Sequence, residues 1–500
     1  MNDKHARVLT RSSRRPADVA LVLLALSAFA PACETTPEPA PEPGVCVNTS
    51  AAESCGAASS AADPEQPGAH LWSGSFGGKG QEFAWAVALD ACSNTYLTGH
   101  VYGAVDFGNG ASSSGQGVAY VAKLDPAGQG VWSQTFQSAL GFDLAADPCG
   151  NTVITGTFYG DVDFGGGPLD GVYNDLFLVK LGPDGEHLWS RQAGGEMDPF
   201  GSAVAIGPSG EVVLVGGLRT TVNLGGDPLV SAGASDLLVA KLDADGEHVW
   251  SLRAGDDELQ SGARVAIDTE GNVIVLGRFN GTLDLGTGAL TSTATTGSDL
   301  FLAKFDPDGE PLWSKAFGGN VATLKGGLAV DTSGAIYLAG NMDGPIDLGA
   351  GTVTGAKNAT FVAKLDPDGA HRWSHFYGPS PTPPVTTLAV TPAGEVALAG
   401  KFTGPVDFGG GSRDPMSDNG TDMFLLKLDT NGDHLWDRQL ASDQIAPDPT
   451  GLALDGEGRS VLVGGYYGTV DFGGGPMTAQ PDPIIPGVFG PDVFVAKLGR

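Results

Sequence analysis

The residues of this 500-residue chain best suited to chemistry recur in series. His70, His187, His248, His371 and His434 each stand two positions before a tryptophan. Imidazoles could ligate a metal or shuttle protons. Ligands of one ion must converge within bonds of roughly 2 Å, whereas these five occupy one slot of a long repeat, so a recurring packing role is expected. Asp306-Pro307-Asp308-Gly309 and Asp366-Pro367-Asp368-Gly369 look like fragments of a calcium loop. A loop of the EF-hand kind needs more oxygen ligands and a distant bidentate glutamate. Here a tryptophan follows the glycine by four positions, the spacing of a hairpin turn. Glycine tracts such as Gly165-Gly166-Gly167 run into further loop, without the helix N-terminus that makes a phosphate site. His100 and His375 stand alone. No catalytic residue, metal or cofactor is assigned.

Three series fix the elements that must carry these residues. Trp72, Trp132, Trp189, Trp250, Trp313, Trp373 and Trp436 are spaced by 57 to 63 residues, with only Trp85 outside the series. Lys123, Lys180, Lys241, Lys304, Lys364, Lys427 and Lys497 take one slot of an apolar segment. A V-D-F-G type segment supplies Asp106, Asp163, Asn223, Asp284, Asp347, Asp407 and Asp471. Each unit reads as four short strands: Leu328–Asp331 turns through Thr332-Ser333-Gly334 into Ile336–Gly340, and Phe361–Leu365 turns through Asp366–Gly369 into the Trp373 strand. The strands are almost continuously apolar, as expected when both faces are covered. Seven such units predict an all-β fold, a seven-bladed β-propeller of four-stranded blades over residues 69–500.

Composition agrees. Gly (77) and Pro (33) suit many tight turns, and 41% hydrophobic residues suffice for a core. The net charge is −31, and loss of the first 32 residues, five basic and two acidic, would take it to −34. Such a surface repels nucleic acid and anionic lipid. Its plain use is solubility; cation binding is the alternative.

The N-terminus carries a basic cluster, the 12-residue apolar run Val19–Ala30, then Pro31, Ala32 and Cys33. A basic head, a short apolar segment and small residues read as a secretory signal over 1–32, too short for a mature membrane span. Cys33 after the small residues resembles the bacterial lipobox, which implies acylation of its thiol. Ala30 stands where that pattern usually has leucine, so secretion with a free Cys33 is the other reading. Residues 33–68, rich in Pro, Glu, Ala and Ser, read as a linker. An outer-membrane lipoprotein of a bacterium follows, periplasmic or surface-facing, touching the membrane only through Cys33.

The repeats resemble those of the seven-bladed β-propeller family of bacterial surface proteins. The resemblance rests on Asp299-Leu300-Phe301 to Trp313-Ser314, Gly318-Gly319, and Ala329 to Gly340, and covers about residues 70–500. It implies fold and surface location more than activity. Lys241 to Trp250 is also similar to repeats of quinone-cofactor dehydrogenases, which are shorter, form eight blades and commonly carry adjacent cysteines; none are adjacent here.

The reading is therefore a non-enzymatic, monomeric binding or scaffold protein for a protein or carbohydrate ligand. The alternative is an enzyme using the central channel, quinone-dependent or glycan-cleaving. Channel carboxylates of raised pKa would favour the enzyme, and an aromatic-lined loop face would favour the binder. Four expectations follow. The long insertion between Asp471 and Lys497 makes Ile484, Ile485, Val488 and Phe489 candidate partner contacts. Cys92 and Cys149, in the same turn slot of consecutive repeats, are expected to bridge, as are Cys46 and Cys55. Each repeat lysine is expected to pair with the V-D-F-G acid of its unit. Residues 70–76, a fourth-position strand without its blade, should complete the last blade beside 493–498 and close the ring.

Overall fold

The computed structural model describes residues 8–11 and 66–500, except 79, 111–116, 197–202, 322–325, 355–358, 379–384, 418–419, 444–446 and 481–490. The described residues form no helix. Seven four-stranded antiparallel sheets succeed one another along the chain. Blade 1 runs from Glu82 to Phe136, blade 2 from Ala139 to Glu196 and blade 3 from Ala203 to Ala254. Blade 4 runs from Gln260 to Val321, blade 5 from Gly327 to Tyr377 and blade 6 from Val385 to Leu440. Blade 7 takes three strands from Asp448–Leu498 and its fourth from His70–Phe76. The first strand of every blade packs on the first strands of its neighbours, and blade 7 meets blade 1 in this way, so the ring is closed.

The apolar strands are explained by where the cores lie. There are seven, each between two adjacent sheets rather than within one. Between blades 7 and 1, for example, Val461, Val463, Val493 and Val495 pack on Leu97, Phe107 and Tyr120. A middle strand is thus covered on both faces, and period-two alternation is lost.

Closure has a clear register. In six blades the repeat lysine lies opposite the repeat tryptophan of the next strand, as Lys123 opposite Trp132 and Lys427 opposite Trp436. In blade 7 Lys497 lies opposite Trp72, and Val495 opposite Gly74. The N-terminal strand supplies the tryptophan that blade 7 would otherwise lack.

The tryptophans also latch each blade to the next. Trp189 Nε1 donates to Ala244 O at 3.0 Å and Trp250 Nε1 to Pro307 O at 3.0 Å, in the hairpin turn of the following blade. The ring lies on that turn's glycine: a Cβ at Gly246 (φ +77°) would stand 2.7 Å from Trp189 Cδ2. Glycine is required there by both backbone and space. Trp436 lies in the same way on Gly68, whose amide donates to Arg500 O at 3.2 Å. The ring therefore begins at the turn Gln66–Ala69. We expect Trp189→Ala to cost about 3–5 kcal/mol. Gly246→Ala should cost less when Trp189 is already alanine, and a double-mutant cycle by denaturant melts would show a coupling of about 1 kcal/mol or more.

The lysine series corrects an expectation. The V-D-F-G acids do not hold the lysines: Asp163 Oδ1 accepts the amides of Gly165 and Gly167, and Asp347 those of Gly349 and Gly351. They cap their own glycine turns, while the next residue, as Phe164 or Leu348, enters the inter-blade core. The lysines instead reach the acid of their blade's first hairpin turn. Lys304 Nζ lies 2.8 Å from Asp268 and Lys497 Nζ 2.9 Å from Asp455; Lys241, Lys364 and Lys427 lie 3.6–3.7 Å from Glu211, Asp331 and Glu395. A buried ammonium needs such a partner. Lys304 also donates to Pro367 O of the next blade at 3.4 Å.

The histidine series packs as expected. The His187 ring occupies the space a Cβ at Gly166 would need, 2.3 Å from its Cε1. His70, His248 and His371 each place Nε2 3.0 Å from the serine three residues on. Among the described residues no group of three or more metal-ligating side chains occurs. Val8–Arg11, within the segment read as a leader, pairs antiparallel with the outer strand of blade 3, Val8 opposite Arg253 and Arg11 opposite Trp250.

Candidate functional site: an aromatic face on blades 7, 1 and 2

Lysine and tryptophan latches make one face of the ring nearly uniform. The opposite face, with the crossovers between blades and the loops from second to third strand, differs from blade to blade. Differences concentrate at two slots. The first strand of blade 1 bulges between Ala84 and Ala86, that of blade 2 between Gly141 and Asp143, so Trp85 and Phe142 stand out of register. A bulge re-aims its side chain. The corresponding residues of blades 4 and 7 are Ala263 and Thr450. The second slot follows the second strand: Tyr467, Tyr102 and Tyr159 in blades 7, 1 and 2, but Arg219, Asn280, Asp343 and Thr403 in blades 3 to 6. Tyr102 and Tyr159 are 44% and 45% exposed.

Blade 1 gathers the cluster. Trp85 and Phe83 are half-buried, near-parallel rings with centroids 6.3 Å apart. His100 lies 5.0 Å from Phe83 and 5.9 Å from Trp85, and Tyr102 stands edge-on to His100 at 5.4 Å. Trp85 Nε1–H donates to His100 Nδ1 at 3.0 Å. An indole can only donate, so Nδ1 is the acceptor and the proton of the neutral imidazole sits on Nε2. Burial lowers the His100 pKa to about 4, which keeps the ring neutral. The sequence singled out Trp85 as outside its series and His100 as isolated, but their meeting needs the pairing of Phe83 with His100 across two strands.

The central channel is quieter. Asp143 of the blade 2 first strand has a raised pKa, from burial, opposed by the nearby Arg264 charge. Its Oδ2 accepts Val204 N of blade 3 at 2.9 Å, so it ties adjacent inner strands together. Glu82 is raised further, to about 8, by burial and by Asp492, but it is enclosed in the seam between blades 7 and 1. An outer-rim cleft of about 340 Å³ near Asn223 is crossed by the Arg191–Glu247 ion pair at 2.7 Å.

Cys92 and Cys149 are both disulfide-bonded. Their turns abut, with Ala91 N donating to Pro148 O at 3.1 Å, and Asp90 and Asp147 cap the two cysteine amides at 2.9 Å. Cys33, Cys46 and Cys55, and the candidate contacts Ile484, Ile485, Val488 and Phe489, lie outside the described residues.

No family model matches the chain. It is 22% identical over 155 residues to an uncharacterised WD repeat-containing protein of Acanthamoeba polyphaga mimivirus, covering 27% of this chain and 11% of that protein. It is 26% identical over 167 residues to the regulatory protein FlaEY of Caulobacter vibrioides, covering 32% and 17%. The chain thus spans less than a fifth of either relative. Among solved structures, the Dos1 propeller aligns over 86% of this chain and 95% of its own, at 10% identity and a TM-score of 0.40. Blade count and closure stand on the strand pairings given above.

Proposed function

We propose that the protein is an exported, lipid-anchored propeller that binds a ligand on the aromatic face and performs no reaction on it. One observation carries this: a ring otherwise built by repetition breaks its pattern with the exposed aromatic residues of blades 7, 1 and 2. Interaction sites expose apolar side chains that a monomer's surface otherwise keeps scattered. Paired cysteines in two abutting turns suit an oxidising compartment, in line with a leader ending before Cys33. The enzyme reading draws on Asp143, yet that carboxylate is engaged with the Val204 backbone.

Cells making the Cys33→Ala variant should release the protein from the membrane fraction. Purified protein should be retained on envelopes of its own cells. Tyr159→Asp should weaken that retention at least fivefold while Asp143→Asn leaves it unchanged. Conversion of envelope material by the native protein, abolished by Asp143→Asn, would overturn the reading.

A further inference from the structure

The four rings of blade 1 could in principle form a cage or a floor, and their spacing decides. A cation held among aromatic faces lies up to about 6 Å from each ring centroid, so its walls must stand well apart. Here Phe83 and His100 are 5.0 Å apart, and Trp85 and His100 5.9 Å, already in contact with one another. Nothing fits between them. Phe83, Trp85 and His100 lie within 34° of parallel, and Tyr102 rises at 89° to both Phe83 and His100. The arrangement is a floor with one polar-tipped wall.

We infer that this floor binds a neutral glycan chain through the C–H faces of its pyranose rings; the inference rests on the binding function proposed above and narrows its ligand. A pyranose offers an apolar C–H face and a rim of hydroxyls. A half-buried aromatic surface edged by a phenol matches that pair of demands. The Trp85 N–H is already committed to His100, so the indole contributes its face and not a hydrogen bond. Charge selects among glycans. Neither Lys nor Arg occurs among Phe83, Trp85, His100, Tyr102, Phe142 and Tyr159, and the chain carries −31 overall. Uronate or sulfated polymers, like nucleic acid, would meet repulsion without a compensating cation. Length follows from the tyrosine slot, filled in three consecutive blades, which suits an extended chain and not a single sugar.

The test titrates the purified full chain with neutral α- and β-linked hexaoses of glucose, mannose, xylose and N-acetylglucosamine, with hexagalacturonate for comparison, following tryptophan emission and heat. At least one neutral hexaose should bind and hexagalacturonate should not. Tyr102→Ala and Trp85→Ala should each weaken binding at least tenfold, and Trp85→Phe by less, with melting temperatures unchanged for the exposed Tyr102→Ala. Failure of every neutral hexaose, equal binding by Tyr102→Ala, or binding of hexagalacturonate would overturn the inference. Two outcomes separate it from the underlying function. A protein captured from envelopes, and lost with Tyr102→Ala, overturns the glycan while leaving the binding role. Shortening of the hexaose overturns the purely binding role while leaving the glycan.

Discussion

Removing residues 1–77 will destabilise the whole ring, whereas removing 1–65 will leave it as stable as the full chain. Both truncations lose Val8–Arg11, so their difference reports residues 66–77 alone. The longer cut deletes the fourth strand of blade 7 and exposes the edge of Asp492–Leu498. It removes Trp72, whose Nε1 donates to Pro126 O at 2.9 Å, and Phe76 from the core between blades 7 and 1. It also removes Gly68, on which Trp436 rests and whose carbonyl accepts Arg438 at 2.7 Å. Two large side chains at about 1.5–3 kcal/mol each, with lost hydrogen bonds at about 1 kcal/mol each, total on the order of 6–8 kcal/mol. A fall in melting temperature of about 10 °C or more is expected. Adding a synthetic 66–77 peptide to the longer truncation should recover part of it. Equal melting temperatures for the two truncations would mean that the ring is held elsewhere.

The same seam should make stability fall as pH rises, through Glu82. Blade 4 begins with Gln260 where blade 1 begins with Glu82, both bonded through their amides to the residue before the third strand of the preceding blade. At the blade 3–4 seam, Asp236 has Arg253 3.3 Å away, and Gln260 Nε2 donates to Asp256 at 2.6 Å. At the blade 7–1 seam the residue matching Arg253 is Ser75 and the amide is a carboxyl, so two acids meet without a cation. Burial and the Asp492 charge raise Glu82 to about 8; burial raises Asp492 to about 6. In the unfolded chain Glu82 ionises near its ordinary 4.5. Between those values the unfolded state has lost a proton that the folded state keeps, so this group makes folding less favourable as pH rises and levels off above about 8. At about 1.4 kcal/mol per unit the effect is on the order of 4 kcal/mol. Glu82→Gln should match the native protein near pH 4 and exceed its melting temperature increasingly toward pH 8. A difference independent of pH would show that Glu82 is ionised in the folded protein.

Much of this was legible in the residues. The Trp and Lys series gave seven units, and the orphan strand His70–Phe76 gave closure, because strand number and order are set by hydrophobic runs and turns that repetition makes unmistakable. Partnership across blades was not legible. Lys304 finds Asp268 and not Asp284, because the first hairpin turn approaches the lysine end of the strand, while Asp284 is occupied capping Gly286 N at 2.8 Å. Sequence spacing ranks both acids alike; only strand order and register separate them. The aromatic face is the same case. Trp85 and His100 were visible as exceptions, but a bulge that turns one and a register that brings the other to 3.0 Å exist only once two strands are paired. Repetition determined the scaffold, since each unit buries its faces only against a copy of itself. The site arose where repetition fails, and there only the folded ring decides which odd residues meet.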